Sequence, residues 1–165
     1  MAMPPSTPDR DCAEMLRHLF ETSEAGRKAA ASLSSAASVA VRFTGLSGDF
    51  TFRAVNGLPR FEAAKADAPD FELTLPPGAV HDICRKTSAG DVGDVGVLFL
   101  EHVFADEPDQ KIQVKIHSGL LKLTIRGWLR VVLAGCPKVI GWFARMGMLK
   151  GPSAVASVLS RFKRD

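Results

Sequence analysis

The sequence predicts a fold that mixes helices with short strands, and two changes of hydrophobic period are the evidence. Near residue 38 the apolar residues change from a helical spacing to strict alternation, in SVAVRFTG. Alternation returns in KIQVKIHSG, residues 111–119, and gives way to apolar clusters over 120–134. A period of two is typical of a strand with one buried face, and a period near 3.6 is typical of an amphipathic helix. We therefore expect helices before, between and after the strands of a small sheet.

The N-terminal part predicts two helices. Residues 1–8 are rich in proline, and we expect them to be disordered. Asp9 or Asp11 is suited to cap a helix that runs to about Thr22, because a short acidic side chain accepts hydrogen bonds from the free N–H groups of a first turn. The alanine-rich segment 23–35 predicts a second, weakly amphipathic helix.

Four short segments with alternating apolar residues follow one another and predict an antiparallel meander. Asn56-Gly57 separates the second from the third and indicates a hairpin, because a type I′ turn needs positive φ at both central positions. Pro59 places the third strand near an edge of the sheet, since proline cannot donate to a strand ladder. The four segments are 38–45, 50–55, 58–63 and 70–75.

The second half of the chain predicts a fifth strand, in KIQVKIHSG, among five helices. The helix over 120–134 is apolar around most of its circumference, so it must be covered on most sides. It either lies between the sheet and the C-terminal helices or lines a lipid cavity, and both alternatives remain open. The five helices are 78–87, 91–104, 120–134, one that begins at Pro137 and one that follows Gly151-Pro152.

Bulk composition is typical of an intracellular globular domain. The chain has 165 residues, of which 46% are apolar and 24% charged, which suits either one domain or a domain with an appendage. Cys12, Cys84 and Cys136 form neither a disulfide framework nor a metal-binding pair, so we expect a reducing cytosol. Charges interrupt the apolar C-terminal region, and no basic segment precedes an apolar one at the N-terminus. We therefore expect neither a transmembrane helix nor a secretory signal.

The charge is distributed unevenly. Residues 1–119 carry 12 Lys/Arg and 17 Asp/Glu, a net charge of −5, whereas residues 120–165 carry nine and one, a net charge of +8. Basic helices that are also apolar are typical of a membrane surface or an acidic partner. A second interpretation, that the cations only solvate the outer faces of core helices, remains open. Nucleic acid is not expected as a partner, because no recognition motif is present.

No motif in the sequence predicts catalysis, a metal or a cofactor. The histidines His18, His81, His102 and His117 have no metal-binding spacing, and nucleophile elbows and phosphate loops are absent. His102 follows an apolar stretch, and two roles remain open for it. It is either a surface or capping histidine, or a polar group at the end of a lipid tunnel that meets a headgroup.

The order of these elements resembles the sterol carrier protein 2 (SCP2) family over about residues 37–134. The positions that carry the resemblance are Asn56-Gly57, Ala66-Asp67, Phe71-Leu73-Leu75, Gly90, Ile112-Val114-Ile116 and Gly119. The resemblance implies an α+β fold, with a curved, mostly antiparallel five-stranded sheet covered on one face by helices and an apolar tunnel between them. It also implies a non-catalytic domain that binds sterols, fatty acids, acyl-CoAs or phospholipids. A longer segment before Lys111 and about 30 additional C-terminal residues depart from the family pattern, so the ligand's identity does not carry over.

We therefore predict a cytoplasmic, non-enzymatic domain that binds, and transfers, a hydrophobic lipid: a fatty acid, phospholipid, sterol-like or isoprenoid molecule. The domain would span residues 9–135, and basic helices over 136–165 would dock it peripherally on the inner face of an anionic membrane. The predicted lipid-binding residues are Phe52, Phe71, Leu73, Ile83, Leu98, Phe99, His102, Val114, Ile116, Leu129 and Val132. The predicted membrane contacts are Lys138, Trp142, Phe143, Arg145, Lys150 and Phe162.

An alternative of another class is an interaction module without an open pocket, an accessory to a lipid- or quinone-pathway enzyme. It would present its C-terminal helices to that enzyme or to a second copy of the chain. A small hydrolase or acyltransferase is a third class, which the sequence does not favour because no nucleophile stands at a productive spacing from a base.

Overall fold

A computed structural model describes residues 7–87, 91–134 and 136–146. The chain is an α+β domain with an open five-stranded sheet and, in the part described, seven helices. In chain order the elements are α1 Thr7–Thr22, α2 Glu24–Ser32, β1 Ser38–Phe43, β2 Phe50–Val55, β3 Leu58–Glu62, β4 Phe71–Leu75, α3 Pro77–Lys86, α4 Val92–Val103, β5 Gln113–Ile116, α5 Leu120–Ile125, α6 Trp128–Ala134 and α7 Cys136–Arg145.

The predicted four-stranded meander is correct for three strands and wrong for the fourth. The strand order is β3-β2-β1-β4-β5, with β4 parallel to β1 and every other pair antiparallel. The loop 63–70 does not fold β4 back on β3. It carries the chain to the free edge of β1, where the Asp70 N–H donates to the Ser38 carbonyl at 2.8 Å. Pro59 lies on the edge strand β3, as predicted.

Two local features lie where the sequence predicts a hairpin turn and the start of a helix. Asn56 and Gly57 have φ values of 52° and 75°, which the predicted β2–β3 hairpin requires. Asp91 caps α4 in a capping box: its Oδ1 accepts from the Asp94 N–H at 2.9 Å, and the Asp94 carboxylate accepts from the Asp91 N–H at 3.1 Å. These motifs are local, so the sequence alone is sufficient to place them.

Two helix boundaries differ from the prediction. α1 begins at Thr7, so residues 7 and 8 are helical and not disordered, whereas residues 1–6 lie outside the described part. α2 ends at Ser32, because the Leu33 backbone is already extended. The helix predicted after Gly151-Pro152 lies outside the described residues.

The single helix predicted over 120–134 is wrong, because the chain turns at Arg126-Gly127 and forms α5 and α6 instead. Gly127 has a φ of 93°, a conformation that side-chain-bearing residues rarely adopt. A Cβ there would overlap the Ser32 carbonyl oxygen. The neighbouring Arg126 carbonyl accepts from the Ser34 N–H at 2.9 Å, so the turn is docked on the segment between α2 and β1.

One face of the sheet is apolar across all five strands. The register places one row of side chains next to each other on neighbouring strands: Phe61, Phe52, Val39, Phe71 and Ile116. A second row contains Phe50, Val41, Leu73 and Val114. Helices α1 and α2 pack on the β2–β3 end of this face, where Phe20 lies 4.7 Å from Phe52, measured between ring centroids.

Candidate functional site

The apolar face of the sheet is covered unevenly. On β1, β2 and β3 its side chains are buried, as in Phe61 at 1% exposed and Phe52 at 6%. On β4 and β5 the corresponding side chains are only half-buried. We call these four residues the half-covered face: Phe71, Leu73, Val114 and Ile116. The difference arises because α1 and α2 pack over the other end of the sheet.

Helices α4 and α6 supply further apolar side chains that are also half-buried. Leu98 and Phe99 of α4 and Val131 of α6 pack against the core cluster without being enclosed by it. Trp128, the first residue of α6, meets Phe71 edge-on, with ring centroids 4.9 Å apart and planes at 86°. The Trp128–Phe71 contact fixes α6 against β4, the strand at which the cover changes from complete to partial.

The structure divides the predicted lipid-binding residues into three groups. Phe52, Ile83 and His102 are buried, and Phe71, Leu73, Leu98, Phe99, Val114 and Ile116 are half-buried. Leu129 is 44% exposed, and the side chain of Val132 lies outside the described part. The core and its half-buried partners therefore bring together most of the predicted set, and Leu129 faces solvent. A lipid contact at any of these residues stays a prediction.

His102 connects two helices to the loop that precedes β5. Its Nε2 lies 3.0 Å from Asp82 Oδ2 on α3, and its Nδ1 lies 3.0 Å from the Gln110 carbonyl. Both partners are oxygen atoms, one of a carboxylate and one of a backbone carbonyl. The pKa of Asp82 is lowered, first by the hydrogen bond from Lys86 and also by that from His102. Both ring nitrogens of His102 are thus engaged inside the protein.

Two open grooves lie on the helical side. One, of about 790 Å³, is lined by Met15, Gly78, His81, Asp82, Arg85, Glu107 and Gln110. The other, of about 640 Å³, is lined by Lys86, Asp94, Val97, Leu98, Lys138, Gly141 and Arg145. The second groove joins a predicted lipid-binding residue, Leu98, to two predicted membrane contacts, Lys138 and Arg145. Neither of these two grooves is an enclosed apolar tunnel.

The predicted membrane contacts on α7 are mostly engaged with the protein itself. Trp142 is 5% exposed, with its ring centroid 5.7 Å from Phe104 and 5.1 Å from Phe143. Lys138 pairs with Asp94 at 2.8 Å and with Asp91 at 2.9 Å, and these hydrogen bonds, Asp94 first, raise its pKa. Phe143 is half-buried and Arg145 is exposed. Lys150 and Phe162 lie outside the described residues.

Sequence reasoning missed the best-connected polar residue of the described structure, Asp70, which is fully buried. Its Oδ1 accepts from Ser118 Oγ at 2.6 Å and from Arg126 Nη1 at 2.5 Å. Its Oδ2 accepts from Trp128 Nε1 at 2.8 Å and from the Ser38 N–H at 3.3 Å. A carboxylate just before an alternating strand was the available clue, but nothing local indicates that three of its four donors come from the distant segment 118–128.

Two chemical properties of the described residues concern metal binding and the reactivity of a thiol. Within these ranges no three His, Cys, Asp or Glu side chains are grouped so that they could hold a metal ion. Cys84 is half-buried, and burial, with a smaller contribution from Cys12, raises the pKa of its thiol to about 11. A thiol with that pKa is protonated at neutral pH and is a poor nucleophile. None of the helices in the described ranges has the length and apolar character needed to cross a membrane.

Comparisons with known proteins give similarity at the level of solved structures, with a low sequence identity and a low TM-score. No protein-family model matches the chain, and no curated protein matches it. Among solved structures it is similar to one described as a "UbiJ-SCP2 Ubiquinone synthesis protein", with 13% sequence identity and a TM-score of 0.40. That similarity covers 76% of this chain and 93% of the other.

Proposed function

We propose that this chain binds a hydrophobic lipid without catalysing a reaction, at the half-covered face and the apolar side chains of α4 and α6. The observation that carries the proposal is the contrast along one sheet face. Neighbouring residues in one cross-strand row change from buried, at Val39, to half-buried, at Phe71 and Ile116. An apolar ligand gains the most binding free energy where it covers apolar area that the protein itself leaves uncovered.

The chemistry of the surroundings suits an acyl or isoprenoid chain. A pocket for such a ligand needs apolar walls and few polar groups, and here Leu73 and Val114 lie next to each other on β4 and β5. Each methylene that leaves water contributes about 0.8 kcal/mol. A chain of about a dozen methylenes therefore gains roughly 10 kcal/mol before the costs of association and ordering are subtracted. The SCP2 resemblance implies the same ligand class.

The direct test is native mass spectrometry of the full chain, followed by denaturing extraction and identification of any bound lipid. Titration with a fluorescent fatty acid then locates the site. Leu73→Gln should weaken binding at least tenfold, because it places a polar amide on the half-covered face. Leu58→Gln is the matched control, since Leu58 is 53% exposed at the β2–β3 hairpin. Equal affinities of Leu73→Gln and the wild type, with both folded, would contradict the proposed site.

A second candidate is an accessory module that binds an enzyme or a second copy of the chain and has no open pocket. Two observations favour it: both grooves described above are open and partly polar, and several large apolar side chains are exposed. The same mass spectra distinguish the candidates. A mass that stays that of the bare chain after mixing with lipid vesicles would favour the accessory role over lipid binding.

A further inference from the structure

Helix α5 exposes large apolar side chains at its surface. Leu120 is 71% exposed, Leu121 75% and Ile125 72%, and Leu129 at the start of α6 is 44% exposed. We call these four residues the α5 surface. Single exposed apolar residues are ordinary on soluble proteins, but several on one short segment mark a contact surface.

The fold holds α5 in this exposed position by a buried ionic cluster. Asp70 binds Ser118, which precedes α5, and also Arg126 and Trp128, which follow it. Both ends of the six-residue helix are therefore tied to one carboxylate at the start of β4. Because Asp70 is fully buried, α5 cannot turn its leucines inward without breaking a buried ion pair, which is costly.

The charged residues of α5 and α6, and of the turn between them, all have one sign. Lys122 within α5 and Arg130 in α6 are exposed, and the sequence has no Asp or Glu from Lys111 to Arg164. The surface thus combines apolar side chains with cations and has no neighbouring acid in the sequence. Interfacial helices that bind anionic bilayers show this combination.

We propose that the α5 surface inserts into the interface of an anionic lipid membrane. A second copy fits less well, because an isologous contact would bring Lys122 and Arg130 of both copies together without a counter-charge. The chain's own residues 147–165 are a poor occupant for the same reason, since they carry four Lys/Arg and one Asp. The proposal moves the docking element from α7, where Trp142 is buried, to α5. It does not depend on a lipid pocket.

The test is flotation of the full chain with vesicles of phosphatidylcholine alone and of phosphatidylcholine mixed with phosphatidylglycerol. The wild type should bind the mixed vesicles, and Leu121→Gln/Ile125→Gln should reduce partitioning at least tenfold. Lys122→Gln should reduce partitioning onto the mixed vesicles about fivefold, because one cation near an anionic surface contributes about 1 kcal/mol to binding. Ile140→Gln on α7 and Leu58→Gln on the hairpin, at 48% and 53% exposed, are controls that should bind as the wild type does.

Three results would overturn the proposal. The first is a wild type that binds neither kind of vesicle. The second is an Ile140→Gln loss as large as that of the α5 double variant, which would return docking to α7. The third is a concentration-dependent dimer in light scattering that only the α5 double variant abolishes, which would make a second copy the occupant. The residues substituted on α5, α7 and the hairpin are exposed, so urea unfolding should confirm that each of these variants folds. Retained vesicle binding by Leu73→Gln would separate this surface from the proposed lipid site.

Discussion

Replacement of Asp70 by asparagine should destabilise the protein severely, because this fully buried carboxylate neutralises Arg126 and accepts three further hydrogen bonds. The amide keeps one oxygen and turns an NH₂ group toward donors. At least one of the four donors then loses its acceptor, and the guanidinium loses its counter-charge.

The magnitude follows from burial. Loss of one partner from a buried ion pair costs about 3–5 kcal/mol. The Arg126 side chain is 16% exposed, so water relieves part of that cost, while an unsatisfied Trp128 N–H adds about 1 kcal/mol or more. We expect Asp70→Asn to lower the free energy of unfolding by about 4 kcal/mol. With a urea m-value near 2 kcal/mol/M, the unfolding midpoint falls by about 2 M.

The assay is equilibrium urea unfolding of the wild type, Asp70→Asn, Arg126→Met and the double variant. The cycle should show a coupling of at least about 1.5 kcal/mol, because the double variant leaves no charge buried alone. Ser118→Ala serves as a reference that removes one hydrogen bond and keeps the ion pair, and it should cost about 1 kcal/mol. A loss below about 1 kcal/mol for Asp70→Asn, or strict additivity in the cycle, would refute the assignment of Asp70 as the anchor of α5 and α6.

Three further predictions concern the backbone, a thiol and pH. Gly127→Ala should lower the free energy of unfolding, measured in urea, by at least about 2 kcal/mol, because φ is positive there and the new Cβ would overlap the Ser32 carbonyl. Gly119→Ala is the control, since its Cβ would meet nothing within 4 Å. It should change the free energy of unfolding by less than about half as much. Cys84, with a pKa raised to about 11 by burial, should be alkylated far more slowly at pH 8 in the folded protein than in urea; equal rates would contradict its burial. The pKa of Asp82 is lowered in the folded protein, first by Lys86. The ionised carboxylate therefore stabilises the fold above about pH 4, near the pKa of a free aspartate. This contribution is lost as the pH falls through the folded-state pKa. The stability difference between wild type and Asp82→Asn should therefore shrink on acidification below pH 4, and a difference constant with pH would contradict the ion pairs.

Local patterns were sufficient for most of the secondary structure. The Asn56-Gly57 turn, the Asp91 cap and the alternating strands each depend on residues close together in the chain, so their physical causes are visible in a short window. The strand residues of the predicted lipid-binding set could be named for the same reason, because a strand with one apolar face must turn that face toward the core or a ligand.

Contacts between residues far apart in the chain decided the strand order and the break between α5 and α6, which a short window of sequence does not show. Nothing near β4 indicates that its partner is β1 and not β3, since either edge would bury the same side chains. The break at Gly127 also has a distant cause, because Asp70 and Arg126 lie 56 positions apart.

The sequence by itself determined most of the elements, their apolar faces and the concentration of positive charge in the last third of the chain. Only the tertiary structure decided which apolar residues are covered. It buried Trp142 against α4, left the β4–β5 side of the sheet half-covered and held the leucines of α5 at the surface. The physical reason is that hydrophobicity specifies that a residue gains by leaving water, whereas the packing of distant elements decides whether the protein itself supplies the cover.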